Sequence, residues 1–279
     1  MRSLTILGGH GKEGKPEQLE LTLRRGDIVS VVGPTGAGKS RFLEDIECLA
    51  QADTPTGRRV LVDGGVPDDE TRFMPERKIA ACLSQNMNFV MDLSVREFIE
   101  THGESRGIVR GIDTDTRFVE HIIDAANTLT GESFDGEAAV TRLSGGQSRA
   151  LMIADTALLS PSPVVLIDEL ENAGVDREKA LALLVNRDKM VVISTHETAI
   201  ALLGKRRVCI RGGAVREVIE TTEAEKQNAA FINELNSRLL MLREMLREGK
   251  RIDFDVEAFL RDGAAVANPL RGFASGVCA

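Results

Sequence analysis

An α/β fold built on a parallel sheet is what this sequence predicts, and three observations predict it. Short apolar runs rich in β-branched residues recur at 27–32, 164–167 and 191–193, and each reads as a strand buried on both faces. Helix-periodic segments separate these runs. The first run leads straight into Gly33-Pro34-Thr35-Gly36-Ala37-Gly38-Lys39-Ser40, after which Phe42, Leu43, Ile46 and Leu49 share one side of a helix. Strand, glycine loop and helix is the context of a phosphate-binding loop. Its glycines let backbone N–H groups turn inward where a Cβ would obstruct an anion, and the helix N-terminus adds partial positive charge. Lys39 is placed to reach β- and γ-phosphates and Ser40 to ligate Mg²⁺, so the chain is expected to bind a nucleoside triphosphate.

The remaining elements follow in order. Leu19, Leu21 and Leu23 alternate with Glu20, Thr22 and Arg24, a strand with one wet face that suggests an antiparallel subdomain beside the nucleotide strand. Residues 59–65 form a short strand ending in a turn, and 78–85 a buried strand that delivers Ser84 and Gln85 to a surface. From there to residue 143 the pattern is mostly helical. Ser94 with Glu97 three residues on is a capping box opening one helix, and 117–126 is another, so a helical insert over about 88–160 is expected. Leu143-Ser144-Gly145-Gly146-Gln147 begins a third helix, stopped by Pro161 and Pro163. The run 164–167 ends in Asp168 and Glu169, the run 191–193 in Thr195 and His196, and a strand at 207–211 closes the core. Residues 221–279 form a helical extension. Its first helix, 223–248, carries Phe231, Leu235, Leu239, Leu242 and Leu246 as a stripe, and a second is expected at 252–260. The stripe either packs back on the core or meets a second copy or partner.

Composition narrows the class. The chain has 279 residues, 42% of them hydrophobic, enough for one large domain of about 1–220 plus the smaller extension. A net charge of −8 and a pI near 5.2 disfavour a nucleic-acid partner. No apolar run approaches the ~20 residues that cross a bilayer, and the first residues are too quickly polar for a signal peptide. Cys48, Cys82, Cys209 and Cys278 are scattered, which suits reduced thiols in a cytoplasmic protein.

The four pieces taken together, the loop at 33–40, Gln85, the pentapeptide 143–147 upstream of Asp168-Glu169, and His196, resemble the ATP-binding cassette (ABC) ATPases over roughly residues 1–215. The resemblance implies a P-loop NTPase core of RecA-like type with an antiparallel β subdomain and a helical subdomain. It also implies roles. Asp168 is the Walker B carboxylate that holds Mg²⁺ through water, Glu169 the general base, Gln85 the residue touching Mg²⁺ or the lytic water, and His196 the partner of the γ-phosphate. Ser144, Gly145, Gly146 and Gln147 form the signature motif, which in the family meets the nucleotide held by another subunit. A homodimer or a related ABC subunit is therefore implied, with ATP and Mg²⁺ as cofactors.

Two features depart from the family pattern. Residues 1–30 contain no Phe, Tyr or Trp, so base stacking falls to His10, to an aliphatic residue, or to neither if the loop Gly8-Gly9-His10-Gly11 is mobile. After Glu169 the segment Leu170-Glu171-Asn172-Ala173-Gly174-Val175-Asp176 is longer than the family's D-loop by about one residue. Two readings of the job stand level at this point. One is the nucleotide-binding subunit of a transporter, peripheral on the inner face of the membrane against a transmembrane permease. The other is a soluble ATPase serving a protein complex in metal-centre or cofactor assembly. A small-molecule P-loop kinase is the alternative from another class. Repair-type relatives rank lower because roughly 100 residues between Ser40 and Leu143 leave no room for coiled-coil arms.

Overall fold

The computed structural model describes residues 1–84, 89–106, 116–168 and 174–262. Among these are nine strands: β1 (Ser3–Leu7), β2 (Glu20–Arg24), β3 (Ile28–Val32), β4 (Arg59–Val62), β5 (Ala80–Leu83), β6 (Val164–Asp168), β7 (Met190–Ser194), β8 (Arg206–Arg211) and β9 (Ala214–Glu220). They form two sheets, an antiparallel β2-β1-β4 and a larger β5-β6-β7-β3-β8-β9. In the first, the alternation read from the sequence holds residue by residue: Leu4 opposes Leu23 and Ile6 opposes both Leu21 and Val60, all buried, while Glu20 and Arg24 face solvent.

In the larger sheet, β5, β6, β7, β3 and β8 run parallel, and β9 closes one edge as the antiparallel arm of a hairpin with β8. The hairpin turns through Gly212 and Gly213, with φ of 63° and 83°. Left-handed conformation at both loop residues is the condition for a type I′ turn, which glycine meets without strain. The central strand β3 lies between β7 and β8, so the loop after it is flanked by the tips of both neighbours.

Helix α1 (Lys39–Glu47) seats Phe42 and Ile46, both fully buried, in a core shared with β1, β2 and the parallel sheet. Burying a ring of this size contributes about 2–3 kcal/mol. A short α2 (Asp69–Phe73) follows β4. The helical insert holds α3 (Val95–Ser105), α4 (Thr116–Leu129) and α5 (Gly145–Leu158), which pack Val119, Ile122, Leu151 and Ala154 into a second core. Ser94 caps α3 as expected, with Glu97 completing the box. Helix α6 (Arg177–Val185) packs on β7 through Leu181 and Leu184, and α7 (Thr198–Leu203) packs on β3, where the Ser30 hydroxyl donates to Ile200 O. No helix among the described residues is long and apolar enough to cross a membrane.

The chain divides into two compact units, Met1–Thr221 and Thr222–Ala279. The second contains α8 (Glu223–Arg247), opened by a Thr222–Glu225 capping box, and α9 (Val256–Asp262). α9 begins four residues later than the expected 252 because Asp255 Oδ1 accepts the N–H groups of Glu257 and Ala258 and so fixes the helix start. The stripe on α8 is not buried as a set. Leu242 is buried, but Phe231, Leu239 and Leu246 are 56%, 41% and 60% exposed.

Candidate functional site

The loop 33–40 connects β3 to α1, and its backbone requires glycine where glycine stands. A Cβ on Gly33 would lie 2.3 Å from the Ile210 carbonyl oxygen. Gly38, the N-cap of α1, is left-handed at φ 109° and has no side-chain cap. The first N–H groups of α1 are therefore left for a ligand rather than for a capping side chain. Lys39 is buried and its ammonium donates to Gly33 O at 3.1 Å, Pro34 O at 3.4 Å and His196 Nε2 at 2.9 Å. The Ser40 hydroxyl donates to Asp168 Oδ2 at 3.0 Å.

These contacts follow from strand order. β7 runs between β3 and β6, and Thr195 N–H donates to Val31 O, which sets the β7 tip, and His196 with it, against the loop. β6 carries Asp168 to the same end of the sheet. The structure thus brings Lys39, Ser40, Asp168 and His196 together. Gln85 and Glu169, with Glu171 and Asn172 of the D-loop, lie outside the described residues. Ser40 and Asp168 are both hard oxygen donors, the donor chemistry that suits Mg²⁺. The neighbouring Cys82 is no nucleophile here, since burial and then the nearby Glu47 push its thiol up to about 12.

The signature residues stand apart. Ser144 is the N-cap of α5; its hydroxyl accepts Gln147 N–H at 3.3 Å, and Gln147 Oε1 accepts Ser144 N–H at 2.9 Å. Gln147 also donates to Glu132 O at 3.3 Å, so the structure uses the residue expected at the nucleotide as a local cap. Ser144 and Gly145 are exposed, and nothing lies within 4 Å of a Cβ built on Gly145. Among the described residues, no hydrogen bond of Ser144 or Gln147 runs to the phosphate loop.

The segment read as a possibly mobile base loop is pinned. His10 N–H donates to Thr56 O at 2.7 Å, Glu17 N–H to Gly9 O at 2.8 Å and Lys12 N–H to Gly212 O at 2.9 Å. The His10 ring packs against Gly57, where an added Cβ would come within 3.1 Å of it. Sequence reading missed Lys12, whose ammonium donates to Gly36 O at 3.2 Å, and Arg58, which is fully buried with Glu17 and Asp45. The glycine-rich setting of Lys12 was a signal for the first. An arginine at the start of a strand carries no signal for the second.

Comparison with known proteins agrees with this geometry. The family profile described as ABC transporter matches residues 16–172. An uncharacterized ABC transporter ATP-binding protein of Methanocaldococcus jannaschii is 49% identical over 253 residues, 90% of this chain and 95% of that one. A cobalamin import ATP-binding protein of Halobacterium salinarum is 31% identical over 192 residues, 66% of this chain and 46% of that one. Among solved structures, the cassette MJ0796, in a dimeric post-hydrolysis state bound to ADP and Pi, superposes with a TM-score of 0.57 at 22% identity, covering 78% of this chain and 99% of that one. The cbiO1 protein of Clostridium perfringens, part of the cbiONQ transporter complex, gives 0.59 at 20% identity, covering 88% and 98%. At these identities the superpositions carry the fold.

Proposed function

Since the chain belongs to the ABC transporter ATP-binding family and is an ATP-hydrolysing cassette, we propose that it is the nucleotide-binding subunit of a transporter and works as a homodimer with ATP at the seam. The observation that carries this reading is the division of the site. Lys39, Ser40, Asp168 and His196 converge on one loop, while the Ser144 cap is exposed and, among the described residues, hydrogen-bonds to Gln147 and not to that loop.

Each residue then has a task. The uncapped α1 N-terminus and Lys39 bind the β- and γ-phosphates, and His196 contacts the γ-phosphate. Ser40 and, through water, Asp168 would hold Mg²⁺, which would supply positive charge against the phosphates. Gln85 joins that set, and Glu169 takes a proton from the attacking water. The N–H groups of Gly145 and Gly146, with the Ser144 hydroxyl, close on the nucleotide of a second copy.

A membrane partner also has a place to dock. A cleft of about 310 Å³ lies among Phe89, Val90, Met91, Phe98, His102 and Arg106. Val90 is 92% and Met91 38% exposed, an apolar lip of the kind an amphipathic cytoplasmic helix covers. The soluble accessory ATPase, level with the transporter on sequence, is not favoured beside relatives that are ATP-binding components of import and export systems. The kinase alternative falls away because the family match spans loop, signature and β6.

The test is Glu169→Gln with ATP and Mg²⁺, followed by a mass measurement in solution. Loss of hydrolysis with a stable nucleotide-bound dimer is expected. A chain that stays monomeric with ATP bound contradicts the shared site. Co-purification with an integral membrane protein from detergent-solubilised membranes separates the transporter from a soluble role.

A further inference from the structure

Around the phosphate loop lies a second set of contacts that touch its outer side. Lys12 Nζ holds Gly36 O at 3.2 Å, and Gly213 N–H holds Ala37 O at 2.8 Å. Both come from one place, because Lys12 N–H donates to Gly212 O and the Lys12 stem lies over Gly213, where an added Cβ would meet Lys12 Cγ at 3.0 Å.

That place is anchored from beneath by Arg58, whose side chain is fully buried over the Phe42 ring at 5.1 Å. Its guanidinium donates to Gly213 O at 3.0 Å, to both oxygens of Glu17 at 2.8 and 2.9 Å, and to Asp45 Oδ2 at 2.9 Å. Glu17 also accepts the N–H groups of Val215 and Gly9, and Asp45 sits on α1. One arginine therefore joins the N-terminal hairpin, the β8–β9 turn and the helix that follows the phosphate loop.

We propose that this is a brace, and that Lys12 and Arg58 are positioning residues for the phosphate loop; the proposal rests on the loop's reading as the ATP cradle. The argument is geometric. In a trans peptide unit the C=O and the next N–H point to opposite sides. Holding Ala37 O outward turns the Gly38 N–H inward, toward the side where an anion binds. The Gly36–Ala37 unit is fixed at both ends, its C=O by Lys12 and its N–H by Pro34 O at 3.0 Å. A loop this rich in glycine would otherwise be ordered at the expense of ligand affinity, and ordering it beforehand removes that cost. Lysine at position 12 also adds a positive charge beside the triphosphate.

Lys12 is exposed and its replacement leaves the cores intact, which makes it the first variant. In a titration with a fluorescent ATP analogue, Lys12→Ala should weaken binding about two- to fivefold, the scale of one exposed charged contact. KM for ATP should rise by the same factor at unchanged kcat and melting temperature, and Lys12→Arg should restore it. Arg58→Lys, whose single ammonium cannot span two carboxylates and Gly213 O, should weaken binding about tenfold or more. Adding Lys12→Ala to it should cost little further, because both act through one turn. Unchanged affinity in Lys12→Ala overturns the brace, as does full additivity in the double variant. Wild-type protein that binds no ATP analogue would instead refute the nucleotide reading itself. If Arg58→Lys does not fold, the Lys12 variants decide alone.

Discussion

Two helices in this molecule begin at glycine-rich sequences, and they begin differently. α1 starts from Gly38, left-handed and without a side-chain cap, whereas α5 starts from Ser144 with its capping box closed by Gln147. Neither has an acidic residue in its first turn, so neither end is neutralised by its own side chains. The contrast separates two ways of using a helix dipole. In the proposed site the α1 end is completed by a ligand that its own chain holds. The α5 end has the Ser144 and Gln147 N–H groups satisfied by its own box, which in the proposed dimer leaves those of Gly145 and Gly146 for a nucleotide on another copy.

The strongest way to break this contrast is Lys39→Ala. It removes the buried ammonium held against the Gly33 and Pro34 carbonyls of the loop, and steady-state hydrolysis should fall on the order of a hundredfold or more. Ser144→Arg should come next. Phosphate release should drop about tenfold or more while a single chain's affinity for nucleotide stays near that of the wild type; equal loss of both would mean that α5 serves its own chain's loop. A smaller effect is expected of Gly146→Ala, whose Cβ would lie 2.8 Å from Gly174 O. Urea unfolding should register a loss of about 1–3 kcal/mol from the forced shift of that contact. Gln147→Ala opens the box and should cost about 1 kcal/mol in the same measurement. No loss there would mean that the cap contributes nothing and that α5 is as open as α1.

Much of this was legible because its causes are local. The alternation of Leu19, Leu21 and Leu23, the Ser94–Glu97 box and the glycines at 33, 36 and 38 each declare their structure within a few residues. Asp168 and His196 could be placed because both end apolar runs, and parallel strands deliver their ends to one side of a sheet. The brace could not be read. Lys12 and Gly36 are 24 positions apart, Arg58 and Glu17 41, and Arg58 and Gly213 155, and no pattern joins them. An arginine with no solvent contact contradicts the usual burial preference and is explained only by the two carboxylates that the fold brings to it. The α8 stripe was legible only as a stripe, since a spacing of three and four marks one side of a helix but does not say what covers it.

The Lys39–His196 hydrogen bond has a spectroscopic corollary. An ammonium can only give hydrogens, so His196 Nε2 must receive one from Lys39, and the ring's own hydrogen then belongs on Nδ1. Lysine has three hydrogens to distribute, and two carbonyls and the imidazole engage all of them. A phosphate oxygen can recruit Lys39 only by releasing one of these acceptors. If the imidazole is the one released, its nitrogen resonances become a direct gauge of how far the active-site lysine has been handed over to substrate.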